Sequence, residues 1–175
     1  MPEGKKLIIF DADGTLRRCT VPGQVCPNAP DQWELLPGVK ETLAGIQWGS
    51  PGKGKTALGI ASNQAGIERG YLTEELADRM LLETVAQAAG FSPVEGSVQI
   101  CPHSSRSDCG CRKPGPLMLR RLMRFWDVRT EDTLFVGDME SDRQAAENAG
   151  CDFAWAKDFF GRDTPHKLAT PDESG

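Results

Sequence analysis

Short apolar runs alternate with longer amphipathic stretches along this chain, and each run breaks off at polar residues. Residues 6–10 (Lys-Leu-Ile-Ile-Phe) carry four consecutive apolar positions without alternation, the signature of a strand covered on both faces. Thr56 to Ala61, Val98 to Ile100, Thr133 to Val136 and Phe153 to Ala156 repeat it. Helical patterns separate these runs. Gly38 to Gln47 carries Val39, Leu43 and Ile46 near helical spacing. Thr73 caps a helix that has Glu74 and Glu75 in its first turn, reaches Ala89 and stops at Gly90. Pro116 to Trp126 and Ser141 to Ala149 complete the set, the latter closed by Gly150. Residues 17–37, with Pro22, Gly23, Pro27, Pro30 and Pro37, read as a long irregular loop, and residues 101–116 as a Cys/Gly/Pro-rich one.

Strands alternating with helices predict an α/β fold: a single Rossmann-like, doubly wound, mostly parallel sheet covered on both faces. The 175 residues suit one domain, drawn here as 1–162, followed by a polar tail, 163–175, expected to be disordered. Between Asp13 and Ser62, and again between Ser62 and Lys113, the predicted elements use up the chain. No room is left for a sizeable cap, and the expected site is open, walled by loops 17–30 and 101–111.

Composition is that of a globular protein, 39% apolar and 26% charged. The net charge of −5 argues against a broad nucleic-acid footprint and leaves Arg17-Arg18 and Arg120-Arg121 as local basic spots. No apolar run approaches the roughly 20 residues of a membrane span. The four apolar residues before Asp11 are too few for a signal-peptide core. A cytoplasmic, membrane-free protein is expected, a monomer by default.

Candidate chemistry collects where the strands end. The first strand stops at Asp11-Ala12-Asp13-Gly14-Thr15, the second at Ser62-Asn63-Gln64, and a later one at Gly137-Asp138. In a parallel sheet these ends share one edge, where open α/β sheets place their ligands. Clustered carboxylates attract a hard cation such as Mg²⁺, and an Asp can act as a nucleophile toward phosphorus. Asp-Gly is also a common turn pair; the buried strand before it and a third acid at Asp138 favour the catalytic reading. Ser62 can donate to a phosphate oxygen, and Lys113, just before a helix, can neutralise both a phosphate and a carboxylate. Either residue alone reads better as an ordinary cap or loop residue.

Cys101, His103, Cys109 and Cys111 place three thiols and one imidazole within eleven residues, a spacing that can close a tetrahedral, structural Zn²⁺ site. Cys19, Cys26 and Cys151 lack partners at ligand spacing and read as loop or core thiols. Gly49-Ser-Pro-Gly-Lys-Gly54-Lys55-Thr56 matches the P-loop pattern letter for letter. It follows a helix and precedes a strand, the reverse of the order a P-loop requires, and reads as a flexible connection.

Asp-Ala-Asp-Gly-Thr, Ser-Asn-Gln-Ala-Gly, Lys113-Pro and Gly-Asp-Met-Glu-Ser-Asp, in that order, resemble the four motifs of the haloacid dehalogenase-like phosphotransferases over roughly residues 6–160. The Cys-x-His…Cys-x-Cys-Arg-Lys-Pro loop is similar to that of the D-glycero-D-manno-heptose 1,7-bisphosphate 7-phosphatases and of the histidinol-phosphate phosphatase domain. Trp33-Glu34-Leu35-Leu36-Pro37-Gly38-Val39 and the segment Ser62 to Gly70 add to the likeness to the heptose branch. The chain departs from that branch at Ala12, where members often carry Arg, at Met139, where Lys is frequent, and through residues 17–30. The resemblance implies a phosphomonoesterase acting on a small phosphorylated sugar. Asp11 would be the nucleophile, Asp13 the general acid and base, and Ser62 and Lys113 the phosphate holders. Asn63 and Arg112 would contact substrate. Mg²⁺ would be held by Asp11, the Asp13 carbonyl and Asp138, with Asp142 and Glu140 behind it. A histidinol-phosphate phosphatase and a nucleic-acid 3′-end phosphatase share the catalytic motifs; a scaffold that had lost activity would not need all four acid and lysine positions intact.

Overall fold

The computed structural model describes residues 4–162, so the expected disordered tail at 163–175 lies outside the described residues. Five parallel strands form the central sheet: β1 (Leu7–Phe10), β4 (Ala57–Asn63), β5 (Val98–Cys101), β6 (Thr133–Gly137) and β7 (Asp152–Trp155), in the order β5-β4-β1-β6-β7. Chain order places β2 (Arg17–Cys19), β3 (Trp33–Leu35) and α1 (Val39–Ala44) between β1 and β4. The remaining α-helices are α2 (Glu74–Ala89), α3 (Leu117–Trp126), α4 (Glu140–Ala149) and the four-residue α5 (Ala156–Phe159), and a short 3-10 helix spans Thr130–Asp132.

The unbroken apolar runs of β1 and β4 follow from burial on both faces. Alternate β1 residues feed two cores. Ile8 and Phe10 pack with Leu58, Ile60, Val39, Leu43, Leu81 and Val85. Leu7 and Ile9 pack with Phe135, Met118, Leu119, Leu122 and Ala145 on the other face. Each fully buried Leu or Ile contributes about 1.5–3 kcal/mol, and β1 buries all four of its side chains at the centre of the sheet. The polar residues that follow β1 therefore emerge from the centre of the sheet.

Residues 17–37 are not the uniform loop their prolines suggest. Their ends pair as the antiparallel hairpin β2–β3, with Arg17 opposite Leu35 and Cys19 opposite Trp33. Burial of Leu16, Cys19 and Leu36 zips these ends, whereas Pro22, Pro27 and Pro30 fall in the connection between them. Gln32 Oε1 ties that connection together, accepting from Gln24 Nε2 and from the Asn28 backbone N–H.

Other element bounds shift as well. The first helix is shorter than its apolar spacing predicts, ending at Ala44 in a tight turn from Thr42 to Gly45. Ser62 and Asn63 belong to β4 rather than to the loop after it. The last strand starts and ends one residue early, because Ala156 opens α5. The P-loop-like letters form a turn folded on itself, with Trp48 bridged to Thr56 and Gly52 to Lys55, and lead into β4. Among the described residues, no helix is long and apolar enough to cross a membrane.

Candidate active site

β1 and β6 run side by side, with Phe10 beside Val136. The residues that follow, Asp11 and Asp138, therefore emerge together at the carboxyl edge of the sheet. Past Asp13 the chain turns sharply through Gly14, at φ +89°. A Cβ there would lie 2.1 Å from Asp138 Oδ2, so the position demands glycine for conformation and for space alike. The turn brings Thr15 Oγ1 to 3.3 Å from Asp11 Oδ2 and 3.4 Å from Asp138 Oδ1.

Lys113 reaches the same point from the loop before α3. Asn63, at the end of β4, holds its backbone: Lys113 N donates to Asn63 Oδ1 at 3.0 Å, and Asn63 Nδ2 donates to the Lys113 carbonyl at 3.3 Å. The buried ammonium then donates to Asp11 Oδ1 at 2.7 Å and to the Ala61 carbonyl at 2.9 Å. It also pairs with Asp142 Oδ1 at 2.7 Å. The other Asp142 oxygen accepts from the backbone N–H of Asp138 and of Met139, each at 3.1 Å, which fixes the start of α4. Gly137 makes room for this, since a Cβ there would approach Asp142 Cβ to 2.4 Å.

Three carboxylates thus face one ammonium. Burial, and next the charges of Asp142 and Asp138, push the Asp11 carboxyl well above its ordinary range, with Lys113 opposing. Burial by itself would lower the Lys113 pKa, but Asp11 and Asp142 outweigh it and hold the ammonium charged. One carboxylate oxygen from each of Asp11, Asp138 and Asp142 lies within 4.8 Å of the others. This excess negative charge, in an oxygen-only donor set, fits a hard divalent cation. Both Asp142 oxygens are engaged, one by the Lys113 ammonium and one by the backbone N–H groups of Asp138 and Met139.

Asp13 accepts from Arg17 Nε at 2.8 Å and from Gln64 Nε2 at 3.0 Å. Gln64 Nε2 also donates to Ser62 Oγ at 2.7 Å, tying the end of β4 to the carboxylate. Arg17 is therefore not an exposed basic spot; it is fully buried. Glu140 does not join the acid cluster. It is exposed on α4 and paired with Arg143, because the first turn of that helix directs Asp142 inward instead.

A small inner cavity exposes Asp11, Asp13, Asn63, Lys113 and Asp142. Cys26, Val25 and Met139 also line it, so Cys26 belongs to the site, which its lack of metal-ligand spacing gave no reason to expect. Outside it opens a cavity of about 660 Å³ walled by residues 21–26, Asn28, Asn63, Arg69, Tyr71, Ser105 and Arg112. The two loops expected to wall the site both contribute. Arg112 Nη1 donates to the His103 carbonyl at 3.1 Å, which steadies the arginine at that wall.

Cys101, His103, Cys109 and Cys111 converge, with their ligand atoms within 4.8 Å of one another. Cys101 Sγ lies 3.0 Å from Cys111 Sγ and 3.7 Å from Cys109 Sγ, and His103 Nδ1 lies 3.3 Å from Cys111 Sγ. All six cysteines are free thiols. The Cys109 thiol is lowered to about 7: burial opposes, but the Arg112 backbone N–H and the neighbouring thiols prevail. Burial and the Cys111 thiol raise Cys101 to about 12. Three thiols and an imidazole at these separations are compatible with Zn²⁺. Glu68 anchors the loop by accepting from Ser104 N at 2.9 Å and from Ser107 Oγ.

A HAD-hydrolase-like family model matches residues 110–174. The D-glycero-beta-D-manno-heptose-1,7-bisphosphate 7-phosphatase of Bordetella bronchiseptica is 32% identical over 146 residues, covering 83% of this chain and 77% of that protein. The enzyme of the same name from Pseudomonas putida is 30% identical, covering 93% of this chain and 88% of that one. The crystal structure of the B. bronchiseptica D,D-heptose 1,7-bisphosphate phosphatase, complexed with magnesium and phosphate, superposes with a TM-score of 0.67 at 31% identity, over 85% of this chain and 78% of the other. The sheet with its acid edge is thus that of a HAD-like hydrolase, a phosphoric monoester hydrolase by class. Within that class, the chain belongs to the family of the heptose-1,7-bisphosphate 7-phosphatases.

Proposed function

We propose that this chain is a Mg²⁺-dependent phosphomonoesterase that removes the 7-phosphate of D-glycero-D-manno-heptose 1,7-bisphosphate through an aspartyl-phosphate on Asp11. The observation that carries the reading is the buried Lys113 ammonium, 2.7 Å from Asp11 and 2.7 Å from Asp142. Beside it lies Asp138, and outside it a cavity large enough for a sugar phosphate.

Asp11 attacks phosphorus: an Asp11 O–P bond forms and the ester P–O bond breaks. Asp13, gripped by Arg17 and Gln64, protonates the departing sugar oxygen. It then takes a proton from the water that attacks phosphorus and releases Asp11. Lys113 and Ser62 hold the non-bridging phosphate oxygens, and their fixed positions supply electrostatic stabilisation without reorganisation. Asp11, the main-chain carbonyl of Asp13 and Asp138 would hold the Mg²⁺, which offsets the repulsion between carboxylate and phosphate. Arg112 and Arg69, on the wall of the outer cavity, supply positive charge for the second phosphate of a bisphosphate, and Asn63 acts there mainly by clamping Lys113. Zn²⁺ held by Cys101, His103, Cys109 and Cys111 would be structural: four protein ligands leave no open position, and the loop they close carries Arg112 and Lys113.

Phosphate release with Mg²⁺ from heptose 1,7-bisphosphate, histidinol phosphate, fructose 1,6-bisphosphate and a 3′-phosphorylated oligonucleotide tests the reading. A kcat/KM for the heptose ester well above the rest is expected. A flat, weak profile would retain the phosphatase chemistry and reject the substrate.

A further inference from the structure

Arg17 opens β2, four residues after Asp13, and its side chain has no solvent exposure. Burying a guanidinium is costly unless every donor is used in good geometry. Here Nε donates to Asp13 Oδ1 at 2.8 Å, and Nη2 reaches Asp13 Oδ2 at 3.4 Å. On its far side Nη1 donates to Thr84 Oγ1 at 3.0 Å, and Thr84 in turn donates to the Met80 carbonyl at 2.7 Å inside α2. The guanidinium carbon sits 5.7 Å from the centroid of the Trp33 ring on β3. The fork holding Asp13 is thus anchored at its back on a helix and on its face by the hairpin. By contrast, Asp11 and Asp142 answer to Lys113, at the other side of the site.

We infer that Arg17 is a positioning residue for Asp13, fixing the plane and height at which that carboxyl meets the leaving oxygen. The role rests on the reading of Asp13 as the group that protonates the leaving group. The donors of Arg17 go to Asp13 and Thr84, so its contribution is confined to departure of the alcohol. In that step the ester P–O bond breaks as the Asp11 O–P bond forms, and the Asp13 proton passes to the sugar oxygen. An alkyl phosphate needs that proton, because an alkoxide is a poor leaving group. p-Nitrophenyl phosphate does not, because its leaving group departs as a stable phenolate.

The test compares kcat for heptose 1,7-bisphosphate and for p-nitrophenyl phosphate, with Mg²⁺, in the wild type, Arg17→Gln, Arg17→Lys and Thr84→Val. Arg17→Gln should lose about a hundredfold in kcat on the alkyl ester, with KM nearly unchanged, and less than about threefold on the aryl ester. Arg17→Lys should recover part of that loss. Thr84→Val, which keeps the ion pair and removes only the rear anchor, should show the same selectivity in smaller measure. Equal losses on both esters, or no loss on either, would overturn the inference. Should the Arg17 variants fail to fold, the conservative Thr84→Val decides by the same criterion. A wild type inert toward both esters would sink the phosphatase reading itself, and the role of Arg17 with it.

Discussion

Replacing Lys113 with Met keeps most of the length of the side chain and removes its charge. The ammonium is 3% exposed and bonded to Asp11 and Asp142, which are 10% and 2% exposed. Breaking a buried ion pair from one side costs about 3–5 kcal/mol, because the remaining charge is left unpaired. For a domain of this size, about 2–4 °C of melting temperature per kcal/mol then implies a fall of roughly 6–20 °C. The pH dependence has a definite sign. The pKa of Asp11 is already raised by burial, by Asp142 and by Asp138, against the pull of Lys113. A carboxyl raised in the folded state binds more protons there than when unfolded. Its effect is destabilising as pH rises through the folded value and vanishes below the unfolded one. Loss of Lys113 raises Asp11 further, so the penalty should be largest at pH 8 and shrink in acid. Added Mg²⁺ should restore part of the stability at pH 8 without restoring turnover. Thermal melts of the wild type and Lys113→Met at pH 5 and pH 8, with Mg²⁺ and with EDTA, read all of this. A variant within about 1 kcal/mol of the wild type at pH 8 in EDTA would refute the charge accounting, since that is the scale of an exposed pair.

The glycine turn and the thiol cluster give further tests. Gly14→Ala puts a Cβ 2.1 Å from Asp138 Oδ2 at φ +89° and should cost about a hundredfold in kcat, measured by phosphate release, because displacements near 1 Å are that expensive in a catalytic site. Purified protein should carry close to one zinc per chain by elemental analysis, and removing the metal with a chelator should lower the melting temperature. Zinc should be released to a chromophoric chelator progressively faster as pH falls, because protons compete with the metal for the three thiolates and the imidazole. Glu68→Ala should speed that release at neutral pH by freeing Ser104 and Ser107, with little change in the melting of the sheet.

The sheet was legible because burial on both faces leaves unbroken apolar runs such as Leu7–Phe10, and because each run ends in a polar residue that has to face an edge. Asp11, Asp13 and Asp138 could be picked out for the same reason, Lys113 by the resemblance of Lys113-Pro to a family motif, and the cysteines by their spacing. Three things were hidden. The hairpin β2–β3 pairs three-residue strands across a proline-rich connection, too short for any period to show. Arg17 looked like a surface charge because its partner Asp13 and its anchor Thr84 lie on separate elements. Gln64 stood in plain sight within Ser62-Asn63-Gln64, but its bridge from Ser62 to Asp13 depends on strand β4 lying beside β1.

The central claim is that Asp11 carries the phosphoryl group of one particular ester. Phosphorus NMR of heptose 1,7-bisphosphate turnover tests it most directly, run on the wild type with Mg²⁺, the wild type with EDTA, and Asp11→Asn with Mg²⁺. Loss of the 7-phosphate alone in the first sample, with heptose 1-phosphate accumulating, and no turnover in the other two is the predicted result. Turnover by Asp11→Asn, or release of the 1-phosphate by the wild type, would contradict it.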